Sequence, residues 1–306
     1  MDYRRIQITG ESTYIISLPK KWVRKNNISK GDTLLIEEEG DGILIKPRDK
    51  KDKFIEIDVK DRDADFLSRL LITRYIKGYD IITFKSENFI EPEKRKCLKD
   101  TSNLLIGMEP FGETSREIMF KMLMQEGIDL ISTISRMHEM SFLSLRDIID
   151  GIRNPNHLDN NLLRSIIEGN NEIDKFYFLI LRQLSDTCSS DIIAWIQIVS
   201  GIERISDHIE DICHILLENK DEKFSGMSKN MNIYEPLIEL YGKVMLSLRS
   251  GHLEMADEVI RGAEDLIVKG GEVLCDINDR SILIHKGFTK IGEYISNIAE
   301  GVINLH

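Results

Sequence analysis

The chain has 306 residues, 42% hydrophobic and 30% charged, a balance that excludes wholesale disorder and fits two or three folded domains. No stretch approaches the ~20 apolar residues of a membrane span, and four widely spaced cysteines without a CxxC pair exclude a disulfide framework or a cysteine zinc site. The net charge of −11 is uneven: residues 1–30 hold seven Lys/Arg and two acids, a net of +5, so the other 276 residues carry −16.

Residues 3–48 alternate with period two and predict short strands. Ile6 and Ile8 form the first, Gly10 breaks it, and Tyr14–Leu18 forms the second up to Pro19. Lys20–Asn26 suits about two helical turns behind that proline. Lys30-Gly31-Asp32 marks a turn, and Gly40-Asp41-Gly42 a hairpin between Leu34/Ile36 and Ile43/Ile45. So small a segment, with no cysteine or histidine, needs a partner to bury a core. Residues 53–123 read as α/β. Strands fall at Ile55–Val59 and Ile81–Phe84, and 108–123 has room for two more. One helix is capped by Asp63 with Phe66, Leu70 and Tyr75 on its inner side, and another starts at Pro92. From about 126 onward helices dominate, as six prolines, against about fifteen at average usage, already suggest. Six helices fit, at 128–150, 158–186, 190–218, 233–250, 252–277 and 279–305. They group as two sets of three, with short loops that imply antiparallel neighbours.

The basic end on an acidic chain is the footprint of a nucleic-acid-binding head on a separate body; ordinary variation of a solvated surface is the competing reading. The start of the chain has no apolar h-region, which predicts a cytoplasmic protein. The third helix of the first set, GIERISDHIEDICHILL, carries an acidic stripe. With Glu203 at 0°, Asp207 lies at about 40°, Glu210 at about −20°, His214 at about 20° and Asp211 at about 80°, while the apolar residues centre near 220°. Like charges at i,i+4 repel, no cation lies within the stripe, and carboxylates with imidazole suit iron, manganese, magnesium or zinc. A solvated helix face is the alternative. Asp174 lies on the edge of the apolar face of the preceding helix, where it can meet a neighbour. His138, His157, His208, His252 and His285 are scattered and read as surface or core-edge residues. No P-loop, dinucleotide fingerprint, HExxH or nucleophile elbow appears, so neither an enzyme nor a nucleotide cofactor is expected.

Two resemblances follow from these motifs. RRIQITGESTYIISLPKKWVRKNNISKGDTLLIEEEGDGILIKP, residues 4–47, resembles the AbrB/SpoVT/MazE-type swapped-hairpin DNA-binding domain, through its basic first strand, LPKKWV helix start, ISKGD turn and DGILIKP hairpin. The resemblance implies two chains interleaved into one barrel, with Arg4, Arg5, Lys20, Lys21, Arg24 and Lys25 facing DNA. EIDKFYFLI, GIERISDHIEDI and KIGEYISNIAEGVINL resemble the PhoU family of phosphate-uptake regulators, whose two three-helix repeats carry E(D)xxxD pairs able to hold iron or zinc. Residue by residue, Glu203xxxAsp207 is intact, the second-helix pair reads Asn170xxxAsp174, and the second repeat offers Ala263 and Ile267, then Thr289 and Glu293. One metal site is therefore expected, from Asp174, Glu203, Asp207, Glu210 and Asp211. The combination resembles archaeal-type phosphate uptake regulators.

The resulting expectation is a mixed, mostly α protein. It has a dimeric swapped-hairpin β-barrel head at 1–50, an α/β spacer or dimerisation segment at 53–125, and tandem PhoU-like bundles at 126–220 and 230–306. The function implied is DNA-binding regulation of phosphate uptake, with DNA, a second copy and a phosphate transporter or its regulators as partners. The alternative is an accessory protein acting on a transporter or kinase by contact, its head used only to dimerise.

Overall fold

The computed structural model describes residues 3–10, 12–39, 42–47, 52–124, 129–154, 157–185, 187, 190–218, 231–276 and 281–306. The chain divides into two compact units, Met1–Asp52 and Lys53–His306, here the head and the body.

In the head, β1 (Gln7–Thr9) pairs antiparallel with β2 (Thr13–Ile15), placing Ile8 opposite Tyr14. Gly10 makes the connecting turn at φ +69°, where a β-carbon is disfavoured. Pro19 precedes α1 (Lys20–Lys25), and the Asn26 amide closes that helix by donating to the Trp22 carbonyl at 2.9 Å. β3 (Leu34–Glu39) and β4 (Gly42–Pro47) form a second hairpin, with Ile36 opposite Ile45. Among the described head residues none is buried: Ile8 is 63% and Ile36 62% exposed. A stable domain hides such side chains, so the described residues of this unit supply the strands but no core of their own.

The body opens with a four-stranded sheet of β5 (Phe54–Asp58), β6 (Ile81–Lys85), β7 (Met108–Glu113) and β8 (Glu117–Met122), in the order β5-β6-β8-β7. β5 and β6 run parallel and are joined through α2 (Ala64–Ile76); the other pairings are antiparallel. The Asp63 carboxylate caps α2, accepting from the Phe66 amide at 2.7 Å. The inner face of α2 is the i,i+4 row Leu67, Leu71 and Tyr75, in one buried cluster with Ile82, Phe84 and Phe120 of the sheet; of the expected positions Tyr75 is buried, Leu70 packs partly buried against that cluster, and Phe66 is 43% exposed. α3 (Pro92–Ser102) completes this layer.

Six further helices follow: α4 (Leu130–Arg153), α5 (Asn160–Ser185), α6 (Ile192–Glu218), α7 (Pro236–Ser250), α8 (Leu253–Asp276) and α9 (Ser281–Leu305), with a 3₁₀ turn at Met231–Ile233 before α7. α4 runs three residues past the expected end. Gly151 lies inside the helix, and its bare Cα leaves room for Leu158. The two third helices, α6 and α9, cross closely. A β-carbon on Gly201 would lie 2.4 Å from Ile298, and one on Gly301 would lie 2.9 Å from Ile198. The helical core is continuous from Ile134 to Val302. His138 and His285, expected at the surface or core edge, are buried in it, satisfied in part by the Tyr241 carbonyl and the Tyr234 hydroxyl. The α/β layer docks on this bundle through α2 and α5, where Phe178 packs on the layer's core.

Candidate metal centre and nucleic-acid surface

The periodicity of α6 puts Glu203 and Asp207 one turn apart on one face. That face lies against α5 rather than in open solvent, since both carboxylates and Asp174 of α5 are half-buried. One carboxylate oxygen from each of the three falls within 4.8 Å of the others, the only such group among the described residues. Burial foremost, then the charges of Asp207 and Glu210, raises the Asp174 carboxyl to about 6. Burial and Asp207 raise Glu203 to about 7, and Arg204, 3.6 Å away, offsets part of this. Arg204 lies beside the stripe and reaches its Glu203 end.

Asn170 occupies the position of the missing carboxylate. It is buried, its carbonyl accepts from the Ser206 hydroxyl, and its amide donates to Glu210 and, at 3.5 Å, to Asp207. The amide thus removes one negative charge and orients two others. Glu210 is held by this bond and lies 3.4 Å from His214, beside the group of three rather than within it. Asp211 is 72% exposed and faces His208 at 3.8 Å. It lines a separate groove of about 330 Å³ with His214, Lys286 and Lys290. Ser206 was not singled out in the sequence. Its signal is a small polar residue at the border between the acidic and apolar faces of α6.

The equivalent place in the second set holds no such group among the described residues. Ala263 is buried, the Thr289 hydroxyl donates to the His285 carbonyl at 3.0 Å, and Glu293 pairs with Lys290 at 2.5 Å. In the first set, three carboxylates without thiol or imidazole fit a hard cation. With metal–oxygen bonds of ~2.1–2.4 Å, oxygens on opposite sides of an ion lie ~4–5 Å apart, a span these three side chains match.

In the head, Arg4, Arg5, Lys20, Lys21, Arg24 and Lys25 are all exposed. Arg4 and Arg5 precede β1. The other four crowd α1, whose Trp22 and Val23 turn inward and leave the cations on the outer side.

Comparison with known families divides the chain in the same way. Residues 7–53 match the family model of MazE, the bacterial antitoxin of antidote–toxin recognition, a match that begins just after Arg4 and Arg5. Residues 134–216 match the PhoU domain and span most of α4, all of α5 and nearly all of α6, including the five candidate acids. No curated protein matches the chain. The chain therefore joins a MazE/AbrB-like segment to a PhoU domain. PhoU domains belong to regulators rather than enzymes. No described helix is long and apolar enough to cross a membrane.

Proposed function

We propose that this protein is a cytoplasmic, DNA-binding regulator of phosphate uptake, whose head grips DNA as a dimer and whose PhoU-like body senses metal, phosphate status or a partner. The observation that carries the reading is the charge division. Residues 1–30 carry +5 and present six exposed cations, on a head that nets +2 over residues 1–52 and shows no buried residue among those described, while the body carries −13. An acidic body is repelled by DNA, so the contact is confined to the head. A second copy covers Ile8, Ile36 and their neighbours and doubles the basic surface.

In the body, Asp174, Glu203 and Asp207 hold one divalent or ferric ion, with iron, manganese, magnesium and zinc as candidates. A bound ion supplies positive charge to three acids that otherwise repel one another. Asn170 and Ser206 orient the site, and Glu210 borders it.

The test is DNA affinity against salt. Each neutralised phosphate adds about −0.9 to the slope of log affinity against log salt, so three cations per chain in a dimer give a slope near −5. Absence of salt-dependent binding at ~50 mM salt refutes the reading. The accessory-protein reading then takes over, with the head a dimerisation module and a transporter or kinase as the contact.

A further inference from the structure

The first helices of the two helical sets, α4 and α7, lie antiparallel: Tyr241 meets His138 and Ser141, while Glu235, earlier on α7, reaches Arg153, later on α4, at 3.0 Å. An open groove of about 1120 Å³ runs between them. Its walls extend from Ile131 to Phe142 on α4 and from Ile238 to Arg249 on α7, which is ~16 Å along either helix. The apolar lining is Ile131, Phe142, Ile238, Met245, Leu246 and, from α8, Met255; Leu246 is 57% exposed. Gly242 keeps the middle of the groove clear. A β-carbon there would stand 3.5 Å from Phe142, an ordinary contact, so the position has room for a side chain and carries none.

The charges on the rim are only partly used within the protein. Arg136 pairs with Glu139 at 2.9 Å, and Lys243 is taken by Glu258 of α8. Arg249 and Glu239 are exposed and have no ion pair among the described residues. They stand ten residues apart on α7, ~15 Å along its axis, so one end of the groove offers a cation and the other an anion.

These features select a helix as the occupant. The volume exceeds the ~300–1,000 Å³ of small-molecule pockets. Both walls are helices, whose backbone groups bond within the helix, so an extended peptide would leave its own amides unpaired in the groove; a helix satisfies them itself. Glu139 and Glu239 repel the phosphates of a lipid surface or a nucleic acid. We propose that the α4–α7 groove binds an amphipathic helix of a separate partner protein, about three turns long, with apolar side chains at i, i+3, i+4 and i+7. An acidic residue in its first turn meets Arg249, and Lys or Arg in its last turn meets Glu239. That order of charge suits the occupant's own macrodipole and sets it antiparallel to α7. The proposal deepens the partner-sensing arm of the reading above. It uses neither the head nor the acids of α5 and α6, so its failure leaves the DNA test of that reading as it stands.

The experiment titrates the full-length protein into fluorescein-labelled peptides of about fourteen residues, stapled on the outer face because a free helix this short is marginal in water. One panel carries Leu, Ile, Phe or Met at the four apolar positions, Glu in the first turn and Lys in the last. A second panel exchanges Glu and Lys. The expected result is saturable binding of at least one member of the first panel with a Kd of ~100 µM or tighter. Gly242→Leu fills the groove and raises helix propensity, so it weakens binding about tenfold or more without lowering Tm. The double variant Arg249→Glu, Glu239→Lys reverses the preference between the panels by about two- to fivefold, as for exposed pairs. The proposal is overturned if no peptide binds, if binding survives Gly242→Leu, or if the double variant keeps the wild-type preference. If Gly242→Leu instead lowers the sedimentation coefficient of the peptide-free protein, a second copy fills the groove and the separate partner is overturned.

Discussion

Glu203→Gln tests the acid group most directly, because it removes one charge and keeps the shape. In the metal-free protein the Glu203 carboxyl titrates near 7 against an ordinary 4.5. A carboxyl raised on folding makes the native state bind more protons than the unfolded chain between those values. Stability therefore declines as pH rises from about 4.5, and the loss is complete above about 7. At 1.36 kcal/mol per pKa unit, the anion costs at most about 3 kcal/mol. The side chain is 19% exposed and Arg204 lies 3.6 Å away, and screening across the open edge reduces the figure to about 1–2 kcal/mol. Asp174, raised to about 6 partly by the same Asp207 charge, titrates with it, so the two contributions do not add. His138, lowered to about 4 by burial, destabilises the protein as pH falls below 6.5, but it does so in both proteins and cancels in their difference. The assay is thermal unfolding of wild type and Glu203→Gln in chelator from pH 5 to 8.5. The expected Tm difference is near zero at pH 5 and rises to about 2–8 °C in favour of the variant at pH 8.5, at ~2–4 °C per kcal/mol for a body of this size. Mn²⁺ at ~100 times its Kd then raises wild-type stability by about 2.7 kcal/mol and leaves the variant behind. A flat difference curve, or equal stabilisation of both proteins by Mn²⁺, refutes the reasoning.

Four other outcomes follow from the same geometry. Gly201→Ala inserts a methyl 2.4 Å from Ile298, and overpacking of about 2–3 kcal/mol outweighs the ~1 kcal/mol gain in helix propensity, so chemical denaturation should show a net loss of about 1–2 kcal/mol. Sedimentation should find a dimer at micromolar concentration, and Ile36→Asp should give a monomer with undiminished helical circular dichroism, because most of the helix belongs to the body; a monomeric wild type would end the shared-core argument. Lys21→Ala should lower affinity for every duplex about equally and flatten the salt slope by ~0.9 per lost contact, whereas Arg5→Ala should relax discrimination between sequences, since arginine pairs bidentately with guanine; equal effects in a competition assay would remove Arg5 from base readout. Asp207→Ala should abolish stabilisation by added iron, manganese or zinc, and unchanged melting shifts would leave the stripe a plain polar seam.

Much of the fold is local and was legible in the sequence for that reason. A 3.6-residue period over 24–27 residues located α4 to α6 to within about three positions, and the alternation around Gly10 and Gly42 located both head hairpins. The i,i+4 spacing alone aligned Glu203 with Asp207. What spacing does not contain is the axial offset and rotation of one helix against another. Those are set by side-chain packing, as where Gly201 admits Ile298 between α6 and α9. That packing decided that Asp174 meets the Glu203–Asp207 pair, that Asn170 takes up Glu210 and that Asp211 is turned out to another groove. The bond from the buried Arg182 guanidinium to the Asp80 carboxylate spans more than a hundred residues of chain. No periodicity carries it, because a buried guanidinium finds its acceptors by where two separately patterned layers come to rest.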